Sequence, residues 1–164
     1  MPGGSATKRV PSTALTANDS TAQEALGAIR FDTDGRTYRY YQTISTVAIG
    51  DLVNHTLSTG IASARVAPTL LLTKIPAGVA VGTVTASYFG WFQVGGPVGP
   101  LNGGTTRVRT ATKVVGGAFI SQSVSRKASI VSAGNEHLVF GIARATDSGS
   151  FCIGAYLTNI AGGV

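Results

Sequence analysis

From Gly27 onward, apolar and polar residues alternate in short runs, and no segment keeps the 3.6-residue period of an amphipathic helix. The clearest run is a predicted hairpin, in which residues 29–31 and 37–41 form two alternating strands and Asp34-Gly35 supplies the turn. Strands of this kind bury an apolar face only by packing against other strands. The pattern therefore predicts an all-β fold, either a small β-sandwich or a barrel.

Further strand-like segments follow the hairpin, and most are rich in β-branched or aromatic residues and bounded by Gly, Pro or Asn. They cover residues 45–49, 79–86, 89–94, 107–115, 128–132, 138–145 and 150–157. Residues 55–73 show the weakest pattern, which suggests a long loop carrying one strand. Residues 95–104 are rich in Gly and Pro and are expected to form a flexible or interface loop.

The N-terminal region differs in composition from the rest of the chain. Residues 1–17 are rich in Gly, Pro, Ser and Thr, which predicts an extended arm. Thr21 and Glu24 fit a Thr-x-x-Glu capping box, which predicts one short helix over residues 21–26. We therefore divide the chain into an extended arm with a short helix (1–26) and a β-rich domain (27–164).

The chain is poor in charge, since charged residues make up 12% of it against about 25% in an average protein. Such a composition is typical of a subunit in a repeating shell or an oligomer. The net charge is +6, which would suit nucleic acid or an acidic protein surface. The basic residues are scattered, however, and only Lys8-Arg9 and Arg126-Lys127 are adjacent pairs. This scatter disfavours nucleic acid, whose binders concentrate charge on one face.

Cys152 is the only cysteine, so no internal disulfide can form, and a buried thiol is expected. Residues 1–17 do not have the pattern of a secretory signal. No apolar run approaches the ~20 residues that a membrane-spanning helix needs. We therefore expect a soluble protein made in a reducing compartment, with no membrane partner.

No set of ionisable residues converges in the way that catalysis requires. The two histidines, His55 and His137, are far apart and fall short of a zinc ligand set. Asp147-Ser148-Gly149-Ser150 is similar to a protease nucleophile loop, but this composition is ordinary for a hairpin turn. Residues 32–35 lack the further ligands of a calcium loop. We predict no enzymatic activity, no metal and no cofactor.

The most distinctive segment is residues 90–97, Gly-Trp-Phe-Gln-Val-Gly-Gly-Pro, which follows Ile-Pro-Ala-Gly-Val-Ala-Val-Gly at 75–82. Together with the hairpin at 30–41 and the strand at 140–145, these segments resemble the capsid decoration, or head cement, proteins of tailed bacteriophages. The resemblance implies a non-enzymatic virion protein on the capsid surface, made in the host cytoplasm. It also implies binding to the major capsid protein across capsomer junctions, capsid stabilisation, and self-association as a trimer.

The arm and the loop at 95–104 are the predicted contact regions, and the arm is expected to lie against neighbouring subunits. Trp91 and Phe92 face opposite sides of a strand, so one should fill the core and the other should meet a neighbouring strand or subunit. The predicted capsid or subunit interface comprises Lys8, Arg9, Val10, Pro11, Leu15, Trp91, Gly95, Pro97, Pro100 and Leu101.

Two alternatives remain open at this point. The chain could be a structural component of a tail or a fibre base, built from similar β modules. It could also be a nucleic-acid-binding β-barrel, in which aromatic residues near basic ones stack on bases. The stacking candidates are Arg36, Tyr38, Arg39, Tyr40 and Tyr41. A buried aromatic hairpin explains Tyr38 and Tyr40 without any ligand.

Overall fold

The computed structural model describes residues 12–56, 65–67, 76–99, 108–111, 113–124, 126–130, 139–143, 151–152 and 155–157. All regular elements within these ranges are β-strands, which confirms the all-β prediction. The strands are β1 (Ile29–Phe31), β2 (Thr37–Thr43), β3 (Leu52–His55), β4 (Arg65–Ala67), β5 (Pro76–Ala80), β6 (Phe89–Val98), β7 (Val108–Arg109), β8 (Phe119–Val124), β9 (Lys127–Ile130), β10 (Val139–Ala143), β11 (Phe151–Cys152) and β12 (Ala155–Leu157). The described part of the chain contains no helix able to span a membrane.

Among the described strands, β2 to β6 close into a barrel. β2 pairs antiparallel with β6, β6 with β5, β5 with β3, and β3 with β4. β4 then returns to β2 through a parallel pair, which completes the circuit. Closure of this kind removes the unpaired strand edges that an open sheet would expose. β1 stays outside the circuit and pairs along one edge with β2, as the predicted hairpin requires.

The second half of the chain adds a sheet to the far end of β6. β6 is ten residues long. Its first part, Phe89–Gly95, pairs with β2, and its last part, Gly96–Val98, pairs with β12. From β12 the sheet continues through β10 and β8 to β9. One long strand is therefore shared by the barrel and the second sheet.

The predicted loop at 95–104 is wrong over residues 95–98, because these residues are part of β6. Gly96 explains how a Gly/Pro-rich sequence can form this strand. Its φ is +82°, a backbone conformation that favours glycine. A Cβ atom at Gly96 would also collide with the carbonyl oxygen of Gly35 in the hairpin turn. Glycine at 96 thus lets the turn of the β1–β2 hairpin rest on β6, while residues 100–104 lie outside the described ranges.

Three clusters of buried apolar residues form the core of the described chain. The first draws on four barrel strands through residues such as Tyr41, Val53 and Phe92, and so fills the barrel. The second includes Leu52 and Ile120 and lies between the barrel and the second half. The third lies on the outer face of β2 and β6 and consists of Tyr38, Tyr40, Val81 and Trp91. Neighbouring residues of one strand enter different clusters because side chains alternate across a strand.

The short helix predicted over residues 21–26 does not form, and the chain makes bends and a turn there. The capping residues have other partners: the Thr21 side chain accepts a hydrogen bond from Gln23, and the Glu24 carboxylate binds Ser12 and Thr13. Residues 45–49 are also not a strand, since Val47 forms only an isolated bridge with Val84.

The other predicted strands form at least in part. The single strand predicted over residues 150–157 is two strands in separate sheets, because β11 pairs with β7 whereas β12 pairs with β10 and β6. Residues 79–86 form a strand only as far as Ala80, and the described residues of the stretch 107–115 form one only at Val108–Arg109. Two strands were missed altogether, β3 and β8.

Candidate interaction surfaces

Residues 12–20, here termed the arm segment, cross the outer face of β2 and β6. The segment is attached at its C-terminal end, where Asp19 and Phe89 exchange two backbone hydrogen bonds of 3.0 and 2.9 Å. The Asn18 side chain adds two hydrogen bonds to Thr85: its Oδ1 accepts from the Thr85 backbone N–H, and its Nδ2 donates to the Thr85 hydroxyl. The arm segment is therefore an integral part of the barrel wall.

Trp91 is fully buried beneath the arm segment. Its indole N–H donates to the Thr13 hydroxyl at 2.9 Å. That hydroxyl lies 3.4 Å from Oε1 of Glu24, which also accepts from the Ser12 backbone N–H at 2.9 Å. Arg30 completes the attachment, because its Nη1 donates to the Thr13 carbonyl at 3.0 Å. These contacts give the buried indole N–H of Trp91 a hydrogen-bond partner. A buried N–H without a partner would lower the stability of the fold.

Tyr40 is the second buried aromatic residue on this face, and its ring lies 5.2 Å from that of Trp91. Its hydroxyl donates to Oδ2 of Asp19 at 2.8 Å and accepts from the Gln23 backbone N–H. Burial raises the pKa of Tyr40 to about 12; the hydrogen bond from Gln23 lowers it in part, and Asp19 raises it further. The hydroxyl thus stays neutral and donates to the arm segment.

A glycine lets the arm segment lie this close to the barrel. A Cβ atom at Gly90 would stand 3.0 Å from the Ala17 carbonyl oxygen and 2.7 Å from a methyl group of Val84. Gly90 and Trp91, the most distinctive pair of the sequence, are therefore explained by contacts within the chain. Gly90 leaves room for the arm segment, and Trp91 packs beneath it.

The structure brings together two of the predicted interface residues, Leu15 and Trp91, because Leu15 packs against the cluster that contains Trp91. Both Trp91 and Phe92 are fully buried. The neighbour that Trp91 meets is the chain's own arm segment, through Thr13. Gly95 is buried in β6 opposite Thr37, and Pro97 is half-buried opposite Tyr156. The remaining predicted interface residues, Lys8, Arg9, Val10, Pro11, Pro100 and Leu101, lie outside the described residues.

Asp51 forms a junction that the sequence did not indicate. The residue is fully buried, and its Oδ1 accepts from Arg109 at 2.7 Å while its Oδ2 accepts from Arg126 at 3.1 Å. The Ala48 backbone N–H donates to Oδ2 as well. A buried carboxylate with two guanidinium partners joins the barrel to the second half. His55, four residues on, packs edge-on against the Tyr41 ring.

Several large apolar side chains of the described chain face solvent. Phe31 is 74% exposed and Ile29 is 44% exposed, and both lie on β1. Leu26, just before β1, is also exposed. A second group, Val115, Phe119 and Ile130, is exposed in the second half. Large apolar side chains exposed in this way mark candidate protein-contact surfaces. The described residues contain no group of three or more His, Cys, Asp or Glu placed to hold a metal ion.

No family model matches the chain, and no curated protein matches it. Among solved structures, the chain is similar to the N base of the head fibre protein gp8.5 of bacteriophage phi29. The TM-score is 0.54 at 14% sequence identity, and the alignment covers 76% of this chain and 95% of the phi29 chain. At this level of identity, the similarity shows that the two chains share a fold.

Proposed function

We propose that this chain is a structural protein of a tailed-phage particle, bound to the outer surface of the head, where it contacts the major capsid protein and bridges capsomers. The observation that carries the proposal is the shared fold, which extends over 95% of the head-fibre base of phi29. A fold alone does not fix a function. The low charge of the chain and the exposed apolar side chains on β1 and β8 support a role in assembly.

A second candidate is a base that anchors a fibre to the head, and the name of the phi29 domain favours it specifically. The two functions differ in stoichiometry. A capsid-bridging protein would occupy a repeating site across the shell, whereas a fibre base would occupy fewer positions and carry further protein outward. In either role we propose self-association as a trimer, without enzymatic activity or a cofactor.

Cryo-electron microscopy of heads that lack the protein, before and after incubation with the purified chain, tests the proposal. Density at every equivalent capsomer junction supports bridging, and density at a subset of positions with an outward stalk supports the fibre base. Density confined to the tail, or no bound density, overturns a head function. DNA binding at low salt in a filter assay would favour the nucleic-acid-binding alternative.

A truncation that tests the role of the N-terminal residues must leave the contacts of the arm segment, residues 12–20, in place. Deleting residues 1–17 would remove Thr13 and expose Trp91, so a loss of binding would have two causes. Deleting residues 2–11 leaves the contacts of Ser12, Thr13, Asn18 and Asp19 in place. If the N-terminal residues lie against neighbouring subunits, this shorter truncation lowers occupancy on heads without changing the melting temperature; unchanged occupancy removes that role.

A further inference from the structure

β1 presents an open edge. Two single backbone hydrogen bonds flank the pairing of β1 with β2: the Tyr40 N–H donates to the Ala28 carbonyl, and the Asp32 N–H donates to the Arg36 carbonyl just before β2. Hydrogen-bonded pairs alternate along an antiparallel ladder, so Arg30 also bonds to β2. The backbone N–H and C=O groups of Ile29 and Phe31 therefore point away from β2. Among the described strands none pairs with this side of β1.

An open edge beside exposed apolar side chains can accept another strand. Natural proteins commonly protect short edges with charged residues, and β1 carries Arg30 with Asp32 directly after it. These two charges are opposite in sign and two residues apart, so both lie on the same face of the edge. Such a pair repels a second copy in some registers and attracts it in others.

The register of two antiparallel β1 strands can be centred on Ile29, Arg30, Phe31 or Asp32. A pairing centred on Arg30 puts two arginines opposite each other. One centred on Asp32 sets Arg30 opposite Asp34 of the other copy, but it puts the two Asp32 carboxylates opposite each other and extends beyond β1 into the hairpin turn. A pairing centred on Ile29 leaves both charges without a charged partner. Only a pairing centred on Phe31 sets Arg30 of each copy opposite Asp32 of the other, which forms two equivalent ion pairs around a two-fold axis.

We propose that two copies of this chain associate through β1, edge to edge and antiparallel, with Phe31 at the two-fold axis. The outward backbone groups of Phe31 pair with those of the second copy, and the two exposed rings meet. Arg30 remains able to bind Asp32 of the second copy, because its contact with the Thr13 carbonyl uses only Nη1. Asp32 contributes Oδ2, since the Thr33 N–H and hydroxyl bind Oδ1.

The contact is small, because β1 is three residues long. We therefore expect weak association in dilute solution and a larger effect where copies are already held close together, which raises their effective concentration. This inference concerns the contact between copies and does not rest on the proposed function. A trimer formed through another surface would also persist, and the β1 contact would then pair two trimers.

Charge reversal with mixing tests the proposal by sedimentation velocity at low salt, over a concentration series. Arg30→Asp makes the edge wholly acidic, and Asp32→Arg makes it wholly basic, so each variant alone should self-associate about tenfold more weakly than the natural chain. Mixing the two variants restores both ion pairs, and the mixture should associate to within about threefold of the natural chain. The double variant R30D/D32R should self-associate as the natural chain does, although it lacks the bond from Arg30 to the Thr13 carbonyl; it therefore shows whether the loss in Arg30→Asp comes from the charge at the edge or from release of the arm segment.

Two matched controls carry the same charge changes away from the edge. Asp34→Arg lies at the exposed hairpin turn, and Lys113→Asp lies at an exposed site in the second half. Both should pair as the natural chain does. The proposal is overturned if the natural chain shows no doubling at the highest concentration of the series, if either single variant associates normally, or if the mixture associates no more than its separate components. Each variant alone serves as the folding control for the mixture.

Discussion

Two buried carboxylates connect segments of this chain over very different sequence distances. Asp51 is fully buried and binds two guanidinium groups, on Arg109 and Arg126, which lie 58 and 75 residues further along the chain. Glu24 is 7% exposed, and its contacts with the arm segment are to N–H and hydroxyl groups 11 and 12 residues away. The comparison indicates that Asp51 joins the barrel to the second half of the chain, which we call the long-range closure. Glu24 instead holds the arm segment over Trp91, which we call the local covering.

The largest expected effect is at Asp51. Asp51→Asn keeps the size of the side chain but removes the charge that Arg109 and Arg126 face, so it should lower the free energy of unfolding by about 3 kcal/mol. Urea denaturation measures the change. The matched control is Asp34→Asn at the exposed turn, for which we expect a change within about 0.5 kcal/mol. If the two variants lose similar amounts, Asp51 does not secure the closure.

The next effect is a loss of stability at alkaline pH. The pKa of Tyr40 is raised to about 12 in the folded chain, against about 10 in the unfolded chain. The folded state therefore retains a proton that the unfolded state loses, and stability falls as pH rises from 10 to 12, by about 2 kcal/mol. Tyr40→Phe should lessen this decline without abolishing it, because burial also raises the pKa values of Tyr38 and Tyr41. Denaturation at several pH values from 8 to 12 tests the prediction, and an equal decline in both proteins contradicts it.

A smaller effect is expected where the arm segment meets Trp91. Thr13→Val removes the acceptor for the indole N–H and should cost about 1.5 kcal/mol, whereas Thr13→Ser keeps the hydroxyl and should cost less. Trp91 is the only tryptophan of the chain, so its fluorescence reports directly on this site. The emission of the Val variant should shift to the red before global unfolding. An unshifted spectrum would mean that the arm segment stays in place without this bond.

The smallest effect is expected at Glu24 itself. Glu24→Gln retains an oxygen that can accept from Ser12 and Thr13 but weakens these bonds, because a neutral acceptor is weaker than a charged one. We expect a loss of about 1 kcal/mol by urea denaturation. If Glu24→Gln lowered the free energy of unfolding as much as Asp51→Asn does, the two carboxylates would not differ in the way proposed.

The parts of this fold that could be predicted from the sequence depend on local signals. The β1–β2 hairpin follows from residue alternation and Asp34-Gly35, which act within a dozen residues. The strand over residues 127–130 and the strand over 139–143 were found in the same way. β8 was missed because its Ser-Gln-Ser centre lacks the β-branched and aromatic residues that indicate a strand.

The parts that could not be predicted depend on distant partners. Residues 96–98 of the predicted loop form a strand because β12, some sixty residues later, pairs with them. The capping box at Thr21 and Glu24 does not start a helix because Glu24 binds the arm segment instead. Trp91 was predicted as an interface residue because its sequence pattern stands out, but alternation does not show which face of a strand the chain itself covers.

β6 has a mechanical consequence. Its ten residues form one strand that pairs in both the barrel and the second sheet, so the two halves share a strand in spite of the positive φ at Gly96. Force applied to one half passes along the strand as shear, and several ladder bonds must then break together. We therefore expect the barrel and the second sheet to resist stretching as one cooperative unit. Single-molecule pulling should show one rupture event for the chain, with no separate earlier release of either half.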